Sequence, residues 1–389
     1  MAHALAGKPV QEQDIIDVQT IVDAYFDNVP DMTNPTQLVS FGTSGHRGTS
    51  VDGTFTDLHV AAITQAICDG RKQFGATGPI FVGQDTHALS QPALVTVLEV
   101  LAGNGVTAMV DCDMDFVPTP SVSRAIIRYN EEHDDKADGI IITPSHNPPD
   151  NGGIKYNTII GGPADTVVTK WIEMRANEYL TAYCESEDFK RISIDNIEPT
   201  AQVPYDYKGL YVEELGDVIN MEAIKAAGPK VLVDTLGGSG ASYWNAIKER
   251  YGLDLTIIHD DYDPTFSFMT YDHDGKVRMD CSSTYVMASV INRIGDFDLA
   301  VGNDPDYDRY GIVVSSGLIS ANTFLTLAAR YLFTTRGWKN KGVGKTVVCT
   351  TMIDKWAADA ETPVFEVPVG FKYFSQLLFD GAIGIGGEE

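Results

Sequence analysis

Gly139-Ile140-Ile141-Ile142-Thr143-Pro144-Ser145-His146-Asn147-Pro148-Pro149 is the stretch that orders the rest of the chain. Its unbroken apolar start reads as a strand buried on both faces, the kind found in parallel sheets. The strand delivers one serine onto a loop stiffened by Pro144 on one side and Pro148-Pro149 on the other, since each proline fixes φ and removes a backbone donor. Three similar runs predict buried parallel strands: Pro79-Ile80-Phe81-Val82-Gly83, Lys230-Val231-Leu232-Val233-Asp234 and Lys345-Thr346-Val347-Val348-Cys349. Between strands lie segments of helical period. One runs from Thr56 to Phe74 with Leu58, Ala61, Ala62, Ala66 and Ile67 on its apolar side; another runs from Gln91 to Gly103 with Ser90 as N-cap. Strands alternating with helices predict an α/β protein of tandem three-layer α/β/α domains with mixed, mainly parallel sheets. The strand starts are spaced widely enough to open three units, a weak repeat because the residues themselves are not self-similar. Pro-marked and polar stretches near 199–204 and 315–321 divide the chain into 1–205, 206–320 and 321–389, with 185–198 as surface connection.

The 389 residues carry a formal net charge of −26. That field argues against nucleic acid and anionic membrane as partners. It also repels a phosphorylated ligand at long range, so a phosphate site needs local Arg, Lys, helix N-termini or metal. Five scattered cysteines (Cys68, Cys112, Cys184, Cys281, Cys349) form neither a disulfide framework nor a zinc site. Reduced thiols, no signal-peptide order at the N-terminus and no spanning apolar run predict a cytoplasmic protein.

A serine held on such a loop is a candidate for covalent chemistry, with His146 and Lys155 near enough in sequence to assist. The plain alternative is a turn capped by Ser. Asp304-Pro305-Asp306-Tyr307-Asp308-Arg309 places three carboxylates at alternate positions of a loop between two apolar runs. Three like charges so close call for a cation. All-oxygen ligation points to Mg²⁺, and the loop lacks the Gly and distal Glu of an EF-hand. Arg309 is then a phosphate contact or a counter-charge. Phe41-Gly42-Thr43-Ser44-Gly45-His46-Arg47-Gly48 offers glycines for close backbone approach and Arg47 as a phosphate fork, but fits neither Walker nor Rossmann spacing. Lys155, in Gly152-Gly153-Ile154-Lys155, is a candidate acid/base or phosphate clamp; a surface lysine is the alternative. Asp234-Thr235-Leu236-Gly237-Gly238-Ser239-Gly240 reads as structural, and His87, His133, His259 and His273 show no metal spacing.

Four motifs in order then carry a resemblance: Thr43-Ser44-Gly45-His46-Arg47-Gly48, Thr143 to Pro149, Asp304 to Arg309, and Gly387-Glu388-Glu389. From about residue 40 onward the chain resembles the α-D-phosphohexomutase superfamily, and within it the bacterial-type phosphoglucomutases. The resemblance implies four α/β domains around a cleft. It makes Ser145 the phosphoserine, with Asp304, Asp306 and Asp308 holding Mg²⁺ together with an oxygen of Ser145. Arg47 and Arg309 would contact phosphate; His146 and Lys155 would move protons. Thr43, Ser44, His46, Lys372, Gly387 and Glu388 would bind substrate, in a loop resembling the glucose-selective version. The implied reaction interconverts glucose 1-phosphate and glucose 6-phosphate through glucose 1,6-bisphosphate, with a phosphorylated hexose as partner and a monomer or weak homodimer as the state. The family's Ser after Glu-Glu, the rest of the third domain and the fourth domain are absent from this span. The alternatives are therefore a catalytically incomplete Mg²⁺ and phosphosugar-binding fragment, or a related phosphomannomutase or phosphoglucosamine mutase.

Overall fold

The computed structural model describes residues 2–42, 45–183, 189–338 and 340–389, which leaves Thr43, Ser44 and Cys184 outside the described residues. After helix α1 (Val18–Asp27), the first unit contains strands β1 (His46–Thr49), β2 (Ile80–Gln84), β3 (Ala108–Asp111), β4 (Asp138–Ile142), β5 (Asn151–Asn157) and β6 (Gln202–Tyr205). Helices α2 (Asp57–Gly70), α3 (Ser90–Gly103), α4 (Thr119–Glu132) and α5 (Thr166–Tyr183) flank the sheet, whose order is β1-β5-β4-β2-β3-β6. The isoleucine run explains the layering. Ile140 and Ile142 join the core under α2, α3 and α5, while Ile141 joins the opposite core under α4. All three are at most 1% exposed, worth roughly 1.5–3 kcal/mol each. Thr56 and His59 start α2 with a reciprocal capping box. Its end is tied to β4 by a buried Arg71–Asp138 pair at 2.8 Å, with the Tyr156 hydroxyl donating to the same carboxylate.

The second unit contains α6 (Tyr207–Val218), α7 (Met221–Ala227), β7 (Val231–Asp234), α8 (Ala241–Tyr251), β8 (Leu255–Ile258), α9 (Ala288–Ile291), β9 (Leu299–Asn303), β10 (Tyr310–Val314) and β11 (Gly317–Ile319), in sheet order β11-β10-β9-β7-β8. Its first helix also lies on the first unit: Glu214 of α6 accepts from Arg124 and Arg128 of α4. The third unit contains α10 (Ala321–Arg336), β12 (Gly342–Thr346), α11 (Met352–Asp359), β13 (Val364–Val367), α12 (Lys372–Phe379) and β14 (Ile383–Gly387), in order β13-β12-β14. The strand expected at 345–349 thus lies three residues earlier. Val347 and Val348 follow it and are exposed, while Gly342 and Gly344 let the strand itself pack against the rings of Phe365 and Phe374.

The repeat that the residues conceal is visible in the topology. Each unit holds three parallel strands whose third lies on the far side of the first from the second: β3-β2-β4, β8-β7-β9 and β13-β12-β14. Connections therefore leave in opposite directions from the first and third strands, which opens a crevice at their carboxyl ends. The serine loop follows β4, the aspartate loop follows β9, and Gly387-Glu388-Glu389 closes β14. In the first two units the chain returns from that loop as an antiparallel strand, β5 or β10.

The N-terminal segment crosses between units. His3, Gly7 and Val10 donate backbone bonds to His273, Tyr271 and Met269 of the second unit at 2.8–3.0 Å, and the Tyr271 hydroxyl bonds Gln11 N and Asp14. The chain then enters α1, whose Tyr25 hydroxyl meets Thr96 of α3 at 2.9 Å in the first unit's core.

Candidate active site and metal centre

The loops after β4 and β9 meet. Ser145 sits in the left-handed region at φ 62°, 1% exposed. Its Oγ donates to Asp304 Oδ2 at 3.0 Å and lies 3.5 Å from His146 Nδ1. The Lys155 ammonium, on β5, donates to Asp306 at 2.6 Å and Asp308 at 3.3 Å. Thr119, at the start of α4, adds its backbone N–H to Asp306 O at 2.9 Å and its hydroxyl to Asp306 Oδ2 at 2.8 Å. Met279 N donates to His146 O from the second unit at 3.3 Å. The centre is therefore built by two units, each supplying half.

The aspartates fit a hard cation. Oxygens of Asp304, Asp306 and Asp308 lie within 4.8 Å of one another, and Oδ1 of both Asp306 and Asp308 is buried without a hydrogen-bond partner. Clustered carboxylates with buried, unpartnered oxygens are what an oxygen-ligated divalent ion needs. Burial, then Asp308 and Asp306, push the Asp304 carboxyl well above the usual range. Burial opposes the Asp306 anion too, but Lys155 outweighs it and holds that carboxyl low. Lys155 in turn keeps its charge: burial disfavours it, and Asp306 and Asp308 more than restore it. It is an ammonium clamp rather than a free amine. His146 is brought down to about 4 by burial and by the charges of Arg309 and Arg47, against Asp280, which leaves a neutral imidazole beside the serine.

Arg47 bonds Asn147 of the serine loop at 3.4 Å. Arg309 is anchored by its N–H to Asp304 Oδ1 at 2.9 Å, with Nε 3.8 Å from Asp308. His46 is not brought to the site. Its ring is buried, with Nε2 on Thr54 O at 2.9 Å and Nδ1 facing the Ser40 backbone. Successive strand residues point to opposite faces, so with Arg47 turned to the serine loop, His46 turns into the core. In the third unit, Glu388 accepts from Gly370 N at 2.6 Å, which ties the loop after β14 to the turn that starts α12 at Lys372. Gly387 packs against Leu325, and the Lys372 ammonium lies over the Tyr373 ring.

The glycine loop 237–240 is a socket for the aspartate loop. Ser239 donates through both N and Oγ to Pro305 O at 2.8 Å. A Cβ on Gly240 would come within 2.3 Å of the Tyr307 ring, and one on Gly238 within 2.8 Å of Pro305 Cα. Thr119, Ser239, Asp85 and His87 support the site without having been singled out for it, and only the glycine density around Ser239 carried a signal. Ser90, expected as an N-cap, is the first residue of α3, and its hydroxyl donates to Asp85 at 2.6 Å.

A tandem α/β/α chain that sets a loop serine against a cluster of aspartates is the architecture of a phosphosugar mutase. Residues 38–182, 210–317 and 320–389 match, respectively, "Phosphoglucomutase/phosphomannomutase, alpha/beta/alpha domain I", domain II and domain III. The chain is 47% identical over 389 residues to a phosphoglucomutase of Komagataeibacter xylinus, covering 99% of this chain and 70% of the relative. It is 29% identical to phosphoglucomutase 1 of Saccharomyces cerevisiae, covering 90% of this chain and 64% of that one. A Thermus thermophilus structure described as a putative phosphomannomutase shares the fold, with a TM-score of 0.75 at 24% identity over 90% of this chain and 74% of that one. The chain belongs to the phosphoglucomutase/phosphomannomutase family. It spans only part of the length of the relatives it matches, 70% and 64% of the two curated ones, and among the described residues no helix is long and apolar enough to cross a membrane.

Proposed function

We propose that the chain is the catalytic part of a Mg²⁺-dependent phosphoglucomutase that interconverts glucose 1-phosphate and glucose 6-phosphate through a phosphoserine and glucose 1,6-bisphosphate. The observation that carries this reading is the Ser145 hydroxyl 3.0 Å from Asp304, at the edge of three clustered carboxylates. The relative's name adds the sugar.

In this reading phospho-Ser145 gives its phosphoryl group to the free sugar hydroxyl. The Oγ–P bond breaks, a sugar O–P bond forms, and the sugar hydroxyl's proton passes by way of a neutral acceptor to the departing Oγ. His146, uncharged near neutrality and 3.5 Å from Oγ, suits that role. In the return step the Ser145 hydroxyl gives its proton by the same route to the leaving sugar oxygen, as that O–P bond breaks and the other phosphate joins Oγ. Lys155, held charged by Asp306 and Asp308, clamps negative charge at the centre, with Arg47 and Arg309 alongside. Mg²⁺, held by the three aspartates and an oxygen of phospho-Ser145, would neutralise charge on the transferring group. Glu388, Gly387 and Lys372 would read the sugar. The division into units 1–205, 206–320 and 321–389 goes with this reading.

The test is glucose 6-phosphate production from glucose 1-phosphate with Mg²⁺ and a trace of glucose 1,6-bisphosphate, while the mass of the Ser145 peptide is followed. Product formation with a phosphorylated peptide supports the proposal. A second reading, binding and phosphorylation without turnover, draws on the chain's 70% coverage of its Komagataeibacter relative. It expects the phosphopeptide without product. Mannose and glucosamine phosphates as competing substrates decide the sugar class. An unphosphorylated Ser145 with no product sinks both readings.

A further inference from the structure

The loop after β2 runs Asp85-Thr86-His87-Ala88-Leu89-Ser90 and is buried beneath the serine loop, with Asp85, His87 and Ser90 each at most 1% exposed. Asp85 is fully engaged. Its Oδ1 accepts from His87 N at 3.0 Å and Ser90 Oγ at 2.6 Å; its Oδ2 accepts from His87 Nδ1 at 2.8 Å and Thr143 Oγ1 at 2.6 Å. A carboxylate only accepts, so the Thr143 hydroxyl spends its proton on Asp85. Its lone pairs are left for the Ser145 amide, which donates to it at 2.8 Å. On the other side His87 Nε2 meets Asn147 O at 3.1 Å. Both ring nitrogens thus face atoms that only accept, and an imidazolium satisfies both. Burial disfavours that charge and Asp85 more than restores it. The ring also lies against Phe266 of the second unit, centroids 5.0 Å apart.

We propose that Asp85 and His87 are positioning residues that grip the serine loop on both sides of Ser145, through the Thr143 hydroxyl before it and the Asn147 carbonyl after it. The grip answers a specific need. A serine at φ 62° is held against its own preference, and such a conformation persists only where its surroundings over-determine it. A nucleophile displaced by about 1 Å loses on the order of a hundredfold in rate. The inference deepens the functional reading above and rests on Ser145 as the phosphoryl carrier.

The test compares Thr143→Val, which keeps the shape and removes the hydroxyl, with Thr143→Ser, which restores it, and adds His87→Gln. Three quantities are followed: the rate at which glucose 1,6-bisphosphate phosphorylates Ser145, Mg²⁺ affinity by calorimetry, and hydrogen exchange of the 139–150 amides. Thr143→Val should phosphorylate about ten- to a hundredfold more slowly, with faster exchange in that segment and Mg²⁺ affinity within about threefold of wild type. Thr143→Ser should return near wild type in all three, and His87→Gln should loosen the same segment. Wild-type rate and exchange in Thr143→Val overturn the proposal, as does a Thr143→Ser variant as slow as Thr143→Val. If wild type itself takes no phosphate, the functional reading fails, while the exchange comparison still decides the grip: unchanged exchange in both Thr143→Val and His87→Gln rejects it.

Discussion

Ser145 and Asp304 stand 159 residues apart in the chain and 3.0 Å apart in space, joined by a hydrogen bond from the serine hydroxyl to the aspartate carboxylate. One comes from the first unit and the other from the second, so the centre exists only when the two units are correctly docked. Replacing Ser145 by Ala should abolish phosphorylation at that position while leaving the fold intact, since only one hydroxyl is lost. Far-ultraviolet circular dichroism and peptide mass read the two effects separately. A Ser145→Ala variant that still takes up phosphate on that peptide, or keeps full mutase activity, contradicts the assignment.

Removal of metal should destabilise the protein. At a Mg²⁺ concentration about a hundredfold above Kd, the ion should add about 2.7 kcal/mol, which appears as a higher Tm that EDTA reverses. Asp304→Asn should lose that response. Its metal-free form should nonetheless be at least as stable as metal-free wild type, because the substitution removes one of three crowded like charges. A metal response that survives Asp304→Asn would place the ion elsewhere.

Gly240→Ala tests the socket. The added Cβ would fall within 2.3 Å of the Tyr307 ring, so the ring and the aspartate loop must shift. Mg²⁺ affinity should fall by about tenfold or more, roughly 1.4 kcal/mol, and calorimetric titration measures it. Ser239→Ala, which loses only the Oγ bond to Pro305 and keeps the N–H bond, should weaken binding less. Equal affinity in wild type and Gly240→Ala would leave the socket without a role in metal binding.

The α2 cap predicts an acid-sensitive fold. His59 accepts from Thr56 N–H and lies 2.8 Å from Gln37 O, fully buried, and burial brings its pKa down to about 3. The unfolded chain takes up this proton below about 6.5 and the folded chain only near 3. Stability contributed by the neutral ring is therefore complete above 6.5 and drains away as pH falls through that window. At pH 5 the loss is about 2 kcal/mol. Urea unfolding of wild type and His59→Gln at pH 7 and pH 5 should show a shallower pH dependence in the variant; parallel slopes would assign the acid sensitivity to other groups.

The features legible in the sequence follow from local chemistry. Strands such as 139–142 announce themselves because burial on both faces demands unbroken apolar residues, and the aspartates of 304–308 because crowded like charges need a cation. Residues that act through distant contacts stayed hidden. Thr119 reaches Asp306 across 187 positions and Asp85 reaches Thr143 across 58, and no local pattern marks either. The resemblance places His46 with the substrate-binding residues, but strand alternation turns its ring onto Thr54 O while Arg47 faces the serine loop. The third unit's first strand carries a weak apolar signal because Gly342 and Gly344 flank its one buried branched aliphatic residue, Val343.

The N-terminal segment that crosses to the second unit has a consequence for how the protein is made. Gln11 waits for the hydroxyl of Tyr271, 260 residues later in the chain. At a synthesis rate of about 5–20 residues per second, that wait is roughly 13–50 s. Residues 3–11 thus find these partners only after some 260 further residues have been made. Until the second unit emerges, the first must hold its core together with that segment undocked.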